Sequence, residues 1–167
     1  MKAPDYVLGI DPGLHGALAL LSLSTHKICD IWDMPTREGK VDPAGVALVV
    51  DMAKSIASGR LVAAVENVNS RPHQAHAFSF GLSVGIIHGV LGSLGIPFCL
   101  VAPQSWKGSF GLCRVGAEAQ SGTKARAREL ASRLWPEHAV DFKRVMYADR
   151  AEAALISRFF ASKNSWM

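Results

Sequence analysis

The stretch Tyr6–Asp11, YVLGID, is a mostly apolar run closed by a single carboxylate, and Leu61–Glu66, LVAAVE, repeats the arrangement. Short apolar runs bounded by turn residues, such as the DPG that follows Ile10, read as buried strands. In an open α/β sheet the functional crevice lies beyond the carboxyl ends of the strands, and both acids sit at such ends. If the two strands are parallel neighbours, Asp11 and Glu66 converge. Two carboxylates brought together in a partly buried site repel unless protons or a cation compensate. Hard divalent ions such as Mg²⁺ and Mn²⁺ take oxygen ligands and suit that task. Either acid taken alone equally marks the place where its strand reaches solvent.

Working outward, GALALLSL and KICDIWDM read as the second and third strands of a meander, and the polar PTREGK reads as a loop. From Asp42 to Ser58 the spacing is helical, with Asp42 as N-cap, Pro43 at the first helical position and Gly59 as the stop. After LVAAVE come a Gly-rich helix from about Ala75 to Leu94, a turn at GIP and a short strand FCLVA. A helix around TKARARELASRLW is halted by Pro136, and a last helix runs from about Ala148 to Ser162. Three strands followed by alternating helices and strands predict an α/β fold: a mixed five-stranded sheet flanked by helices on both sides, with residues 1–167 as a single domain.

The composition, 49% hydrophobic and 19% charged over 167 residues, excludes a disordered chain and suffices for a core on both faces of a sheet. Cys29, Cys99 and Cys113 are far apart and form no CxxC pair, which argues against a disulfide framework or a zinc site and predicts a reducing, intracellular location. The N-terminal MKAPDYVLGIDPG has no apolar core of signal-peptide length, so no export is expected. Between Arg71 and Lys107 there is no Asp, Glu, Lys or Arg, but Gly81, Gly85, Gly89, Gly92, Gly95 and Pro97 interrupt the stretch. It therefore reads as a buried helix and strand, with no membrane partner.

In ADRAEAALISRFF the residues Asp149, Glu152, Ile156 and Phe159 share one helical stripe, so the acids extend the face that packs inward. A helix dipole explains acids in a first turn, but not their alignment with the apolar residues. Four acids on two strand ends and one helix fit two-metal phosphoryl transfer, in which ions about 4 Å apart activate a water and stabilise the leaving oxygen. Lys124, Arg126, Arg128 and Arg133, followed by Lys143, Arg144 and Arg150, form a basic cluster that either follows a phosphate backbone or is a solvated face interleaved with Glu129, Glu137 and Asp141. The formal charge of +4 is compatible with a polyanionic partner.

GIDPGLHGALAL, AVENV, VAPQSWKGSFGL and DRAEAALIS, in this order from Tyr6 to about Phe160, resemble the RuvC family of Holliday junction resolvases, and most of all its phage and prophage-type members. The resemblance implies an RNase H-like fold and a homodimer that nicks opposed strands of branched DNA as a crossover junction endodeoxyribonuclease, in the cytoplasm of a bacterial or phage-infected cell. It implies that Asp11, Glu66, Asp149 and Glu152 are the catalytic acids and hold two Mg²⁺ or Mn²⁺ ions. Lys124 matches a basic residue that approaches DNA in the family, and Lys107 falls in the SWK stretch. With Arg126, Arg128 and Arg150 they make up the expected DNA-binding set.

The sequence departs from the family after the second acid, where bacterial members carry an aromatic residue that stacks on a base. Asn69 stands there, with Phe78 and His73 as candidate substitutes. The stripe Gly81, Gly85, Gly89 serves either close packing across a dimer, which the resemblance favours, or tight seating of the helix on its own sheet. Trp106 is expected to anchor its loop in the core, with base stacking as the alternative. Met146 and Tyr147 are expected to pack, with a place at the DNA border as the alternative for Tyr147. His15 is either solvated or a phosphate contact, and His138, after the helix-stopping Pro136, is expected to fill a loop rather than act as a general base. Two other functions remain open: a junction-binding protein with weak or no catalysis, and an RNase H-like phosphotransferase suggested by GIDPG alone. The chain is short for the two-lobed phosphotransferase architecture.

Overall fold

The structure, a computed structural model, describes residues 3–67, 77–114, 116 and 120–163. Strands β1 (Tyr6–Asp11), β2 (Ala17–Ser22) and β3 (Ile28–Asp33) form the meander, followed by a small hairpin of β4 (Thr36–Arg37) and β5 (Lys40–Val41). Then come α1 (Pro43–Ile56), β6 (Leu61–Glu66), α2 (Ala77–Ser93), β7 (Phe98–Val101), α3 (Pro103–Ser109), α4 (Gln120–Leu134), α5 (Ala139–Phe142) and α6 (Ala148–Ser162). The main sheet has five strands in the order β3-β2-β1-β6-β7, antiparallel within the meander and parallel from β1 through β6 to β7. Among the described residues no helix is long and apolar enough to cross a membrane.

Local signals account for most elements. Asp42 caps α1, accepting a hydrogen bond from the Ala44 amide at 3.2 Å, with Pro43 next to it. The helix stops at Ile56, before the expected Gly59. Gly59 instead lies against the Asp5 carboxylate, which accepts from the Arg60 amide at 2.8 Å. PTREGK is not a plain loop: Thr36 pairs with Val41 and Arg37 with Lys40. The two turn residues between them, Glu38 (φ 52°) and Gly39 (φ 71°), are both left-handed, as a tight hairpin of primed type requires. Glutamate gives no sequence signal for that conformation, which explains the missed hairpin.

Strand alternation divides the core into two layers. Leu8, Ile10, Leu18, Leu20, Ala63 and Val65 pack with α1 and α2. Val7, Ala17, Ala19, Leu21, Val62 and Ala64 face the opposite side, where α6 supplies Ala151, Ala154 and Leu155. Gly9 belongs to this second face, and α6 lies directly on it. A β-carbon there would collide with the carbonyl of Ala153 and come within 2.7 Å of the Ser157 amide. Small residues on both surfaces therefore let the helix backbone approach the strand backbone. At the edge, Arg150 of α6 grips Asp33 of β3 with two hydrogen bonds, Nε to Oδ1 at 2.5 Å and Nη2 to Oδ2 at 2.6 Å.

The glycine stripe of α2 is not seated on its own sheet. A β-carbon added at Gly81, Gly85 or Gly89 would meet nothing within 4 Å, and all three residues are exposed. The two glycine classes are thus separable by experiment. Gly9→Ala is expected to lower unfolding free energy in urea by about 1–3 kcal/mol through overpacking. Gly89→Ala has room and raises helix propensity, so it is expected to be neutral or to stabilise by up to about 1 kcal/mol.

Candidate active site

Register and alternation together bring the acids into one place. In the parallel pairing of β1 with β6, Ile10 stands opposite Val65, so Asp11 and Glu66 end adjacent strands at the same level. Counting by twos from Gly9 and Ala64, both acids point to the face covered by α6. Asp149 and Glu152, one turn apart at the start of α6, project over that end of the sheet. Asp11, Asp149 and Glu152 each offer a carboxylate oxygen within 4.8 Å of the other two. Glu66 adjoins them in a cleft of about 380 Å³ whose walls include Gly13, His15, Lys107 and Lys124. A larger groove of about 530 Å³, between β7 and the far end of α6, is lined by Leu100, Phe159 and Phe160 and has no carboxylate among its lining residues.

The electrostatics of the cleft are unfavourable in themselves. Burial, followed by the charges of Glu66, Glu152 and Asp149, holds the Asp11 carboxyl well above its ordinary 3.8, while a weak hydrogen bond from the Gly13 amide at 3.4 Å opposes the shift. Burial also raises Glu66, against the stabilising Trp106 hydrogen bond and the charge of Lys107. Two ammonium groups partly compensate. Lys124 Nζ lies 2.6 Å from Asp149 Oδ1, and Lys107 Nζ lies 3.2 Å from Glu152 Oε1. Burial pulls the Lys124 ammonium down, but the hydrogen bond and charge of Asp149, with Glu152 and Asp11, outweigh it and leave its pKa raised. The Lys107 contact is close enough for ion pairing but lacks hydrogen-bond alignment, so Glu152 Oε1 is buried without a hydrogen bond. A cluster of carboxylate oxygens, in which Asp11 and Glu66 are held above their ordinary pKa and one buried oxygen is orphaned, fits a hard divalent cation.

Trp106 is the contributor that pattern reading placed only as an anchor. It is fully buried, on the short helix α3 rather than a loop, and its indole Nε1 donates to Glu66 Oε1 at 2.8 Å. A buried indole requires an acceptor, and Pro103 at the first turn announces the helix. Nothing in the sequence says that the acceptor is a carboxylate forty residues upstream.

The expected DNA-binding residues separate into two groups. Lys107 and Lys124 line the cleft. The three arginines are engaged by the chain's own framework: Arg126 Nη2 donates to the Cys113 carbonyl at 3.0 Å, Arg128 Nη1 to the Lys143 carbonyl at 2.8 Å, and Arg150 to Asp33. His15 lines the cleft, whereas His138 Nδ1 lies 3.0 Å from Asp141 Oδ2 and is not among the cleft residues. Phe78 is 86% exposed and shares a groove with Leu14, which also borders the acids. Asn69 and His73 lie outside the described residues. Tyr147 packs beneath the Arg150 guanidinium, 4.0 Å from the ring centre, but Met146 does not pack as expected and is 71% exposed. The turn that holds it is fastened through neighbouring backbone and arginine contacts, which leaves its own side chain unburied.

No protein-family model matches the sequence, and no curated protein matches it either. Solved structures do. RuvC of Thermus thermophilus in complex with a Holliday junction substrate is 18% identical, with 96% of each chain covered and a TM-score of 0.57. A second Thermus thermophilus RuvC structure is 18% identical over 94% of this chain and 95% of that one, with a TM-score of 0.58. The yeast mitochondrial Holliday junction resolvase Ydc2 is 17% identical over 96% of this chain and 80% of its own, with a TM-score of 0.54. With the mixed five-stranded sheet and flanking helices, this likeness shows that the chain has the RNase H-like fold of the RuvC resolvases.

Proposed function

We propose that this chain is a metal-dependent endonuclease that resolves Holliday junctions and related branched DNA by hydrolysing phosphodiester bonds. The observation that carries the reading is the convergence of Asp11, Asp149 and Glu152, whose oxygens lie within 4.8 Å of one another in an open cleft. The fold likeness to two kinds of Holliday junction resolvase supports the substrate class. Asp11, Glu66, Asp149 and Glu152 hold Mg²⁺ or Mn²⁺, and the donor set suits two ions. Bound divalent ions supply activation of a water nucleophile and stabilisation of the leaving oxygen.

The chain's own groups do the positioning. Trp106 fixes the orientation of Glu66 through its indole hydrogen bond. Lys107 and Lys124 neutralise the acids in the ion-free protein and place positive charge where the scissile phosphate enters. Arg126, Arg128 and Arg150 act in DNA binding mainly through the field they add beside the cleft, because their guanidinium groups already hold intrachain partners. Residues 1–167 work as one domain, and the exposed glycine stripe of α2 offers a surface for a homodimer, as paired nicking requires. The site of action is the cytoplasm.

Incubation of end-labelled four-way junctions, three-way branches and linear duplexes with Mg²⁺, Mn²⁺ or EDTA tests the reading. Metal-dependent nicks restricted to branched substrates are expected. Asp11→Asn should lower cleavage by about a thousandfold or more while junction binding persists. Full activity in that variant, or equal cutting of linear duplex, overturns the reading. Trp106→Phe should weaken Mn²⁺ binding by about tenfold in a titration calorimeter, the usual effect of losing a ligand-orienting hydrogen bond.

Thermal denaturation offers a further check. Because Asp11 is held above 3.8 in the folded chain, the native state retains that proton to higher pH than the unfolded state does. Its contribution to stability is therefore complete below pH 3.8 and is lost as pH rises through the raised value. Each unit of elevation is worth about 1.4 kcal/mol. In EDTA near neutral pH, Asp11→Asn is expected to melt at a higher temperature than the wild type, with the gap closing at acid pH. Mn²⁺ should raise the melting temperature of the wild type far more than that of the variant.

A further inference from the structure

The turn that enters α6 carries two large apolar side chains in open solvent. Val145 is 77% exposed and Met146 is 71% exposed. Lys143 and Arg144, immediately before them, are exposed as well, and Val140 stands on the same rim. The turn is held in place from several sides. Its Tyr147 amide donates to the Arg144 carbonyl at 2.9 Å, and Arg128 of α4 donates to the Lys143 carbonyl at 2.8 Å. The Arg150 guanidinium, itself gripped by Asp33, lies over the Tyr147 ring. An apolar pair built on such a frame is displayed, not frayed.

Its position relative to the acids follows from α4. Lys124 holds Asp149, and Arg128 holds the turn. The two residues are one helical turn apart, about 6 Å of rise. That distance is comparable to the spacing of successive phosphates on a DNA strand. Only Tyr147 and Ala148 separate Met146 from Asp149, so the turn lies within about a nucleotide or two of a phosphate placed at the acids.

We infer that Val145 and Met146 form an apolar wedge that packs against unstacked bases of branched DNA next to the cleaved phosphate, with Lys143 and Arg144 on the flanking phosphates. The inference rests on the nuclease reading and adds a determinant of branch selectivity to it. Opening a base step in linear duplex costs a few kcal/mol, and Val and Met side chains gain contact only where bases are accessible. A branch point presents such bases without that cost.

The test compares Asp11→Asn with Asp11→Asn/Val145→Ser/Met146→Ser, in Mg²⁺, on a four-way junction carrying 2-aminopurine at the branch and on linear duplex. The parent is expected to bind the junction and brighten the probe. The wedge variant is expected to bind the junction about tenfold more weakly without brightening, with duplex affinity unchanged. Adding Lys143→Ala and Arg144→Ala to the parent should weaken binding to both DNAs and reduce the salt slope by roughly two. Equal junction affinity with full brightening in the wedge variant overturns the inference and leaves the nuclease reading intact. Absence of DNA binding by both the wild type and the parent removes the nuclease reading, and the inference with it. A changed sedimentation coefficient in the wedge variant, with DNA binding unaltered, assigns the patch to a second copy of the chain and overturns the inference.

Discussion

The seating of α6 on Gly9 is the contact on which the site depends. The helix backbone comes so close to the central strand that a single β-carbon would collide with it. Ala17, Ala19 and Ala64 on the sheet and Ala151, Ala153 and Ala154 on the helix keep the rest of that contact thin and fully buried. Asp11 lies two residues beyond Gly9 on the same strand face, Asp149 precedes the contact at Ala153 by about one turn of helix, and Glu152 adjoins it. A thicker interface would lift the helix away and open the acid cluster. The same close packing that fills the core therefore sets the distances in the cleft.

That geometry forces a conflict of charge. Four carboxylates share one small cleft, and burial together with the neighbouring acids makes Asp11 and Glu66 harder to ionise. Lys107 and Lys124 relieve part of the conflict, yet Glu152 Oε1 remains without a hydrogen bond. Folding energy is not minimised by such a cluster; an apolar replacement would be cheaper. The surrounding structure tolerates it because β1 and β6 are packed on both faces, by α6 on one and by α1 and α2 on the other.

The arginines illustrate how tertiary context redirects a charge pattern. On the chain they read as a track for phosphate. In the fold, Arg150 joins the edge of the meander to α6, Arg128 secures the turn before α6, and Arg126 reaches the segment after α3. They brace the helix that carries two of the acids and present the Lys143–Met146 turn to solvent.

Much of this was legible in the residues themselves. Apolar runs ended by Asp11 and Glu66 define strands and strand ends, Asp42 and Pro43 start a helix, and the three-residue step from Asp149 to Glu152 puts both acids on one helical face. These are local features, because period and capping act within a turn or a strand. Other features depend on which distant segments meet. The parallel pairing that levels Ile10 with Val65, the indole of Trp106 on Glu66 and the Lys107 and Lys124 contacts each join residues far apart in the chain. The left-handed Glu38 in a hairpin, the exposed α2 glycines and the unburied Met146 were likewise decided by surroundings that no local pattern encodes. The sequence by itself determined the acids, their strand ends and the helix that carries two of them, through short-range periodicity. Only the tertiary structure decided which cations neutralise those acids and which apolar side chains stay in solvent, because both depend on contacts across the packed sheet.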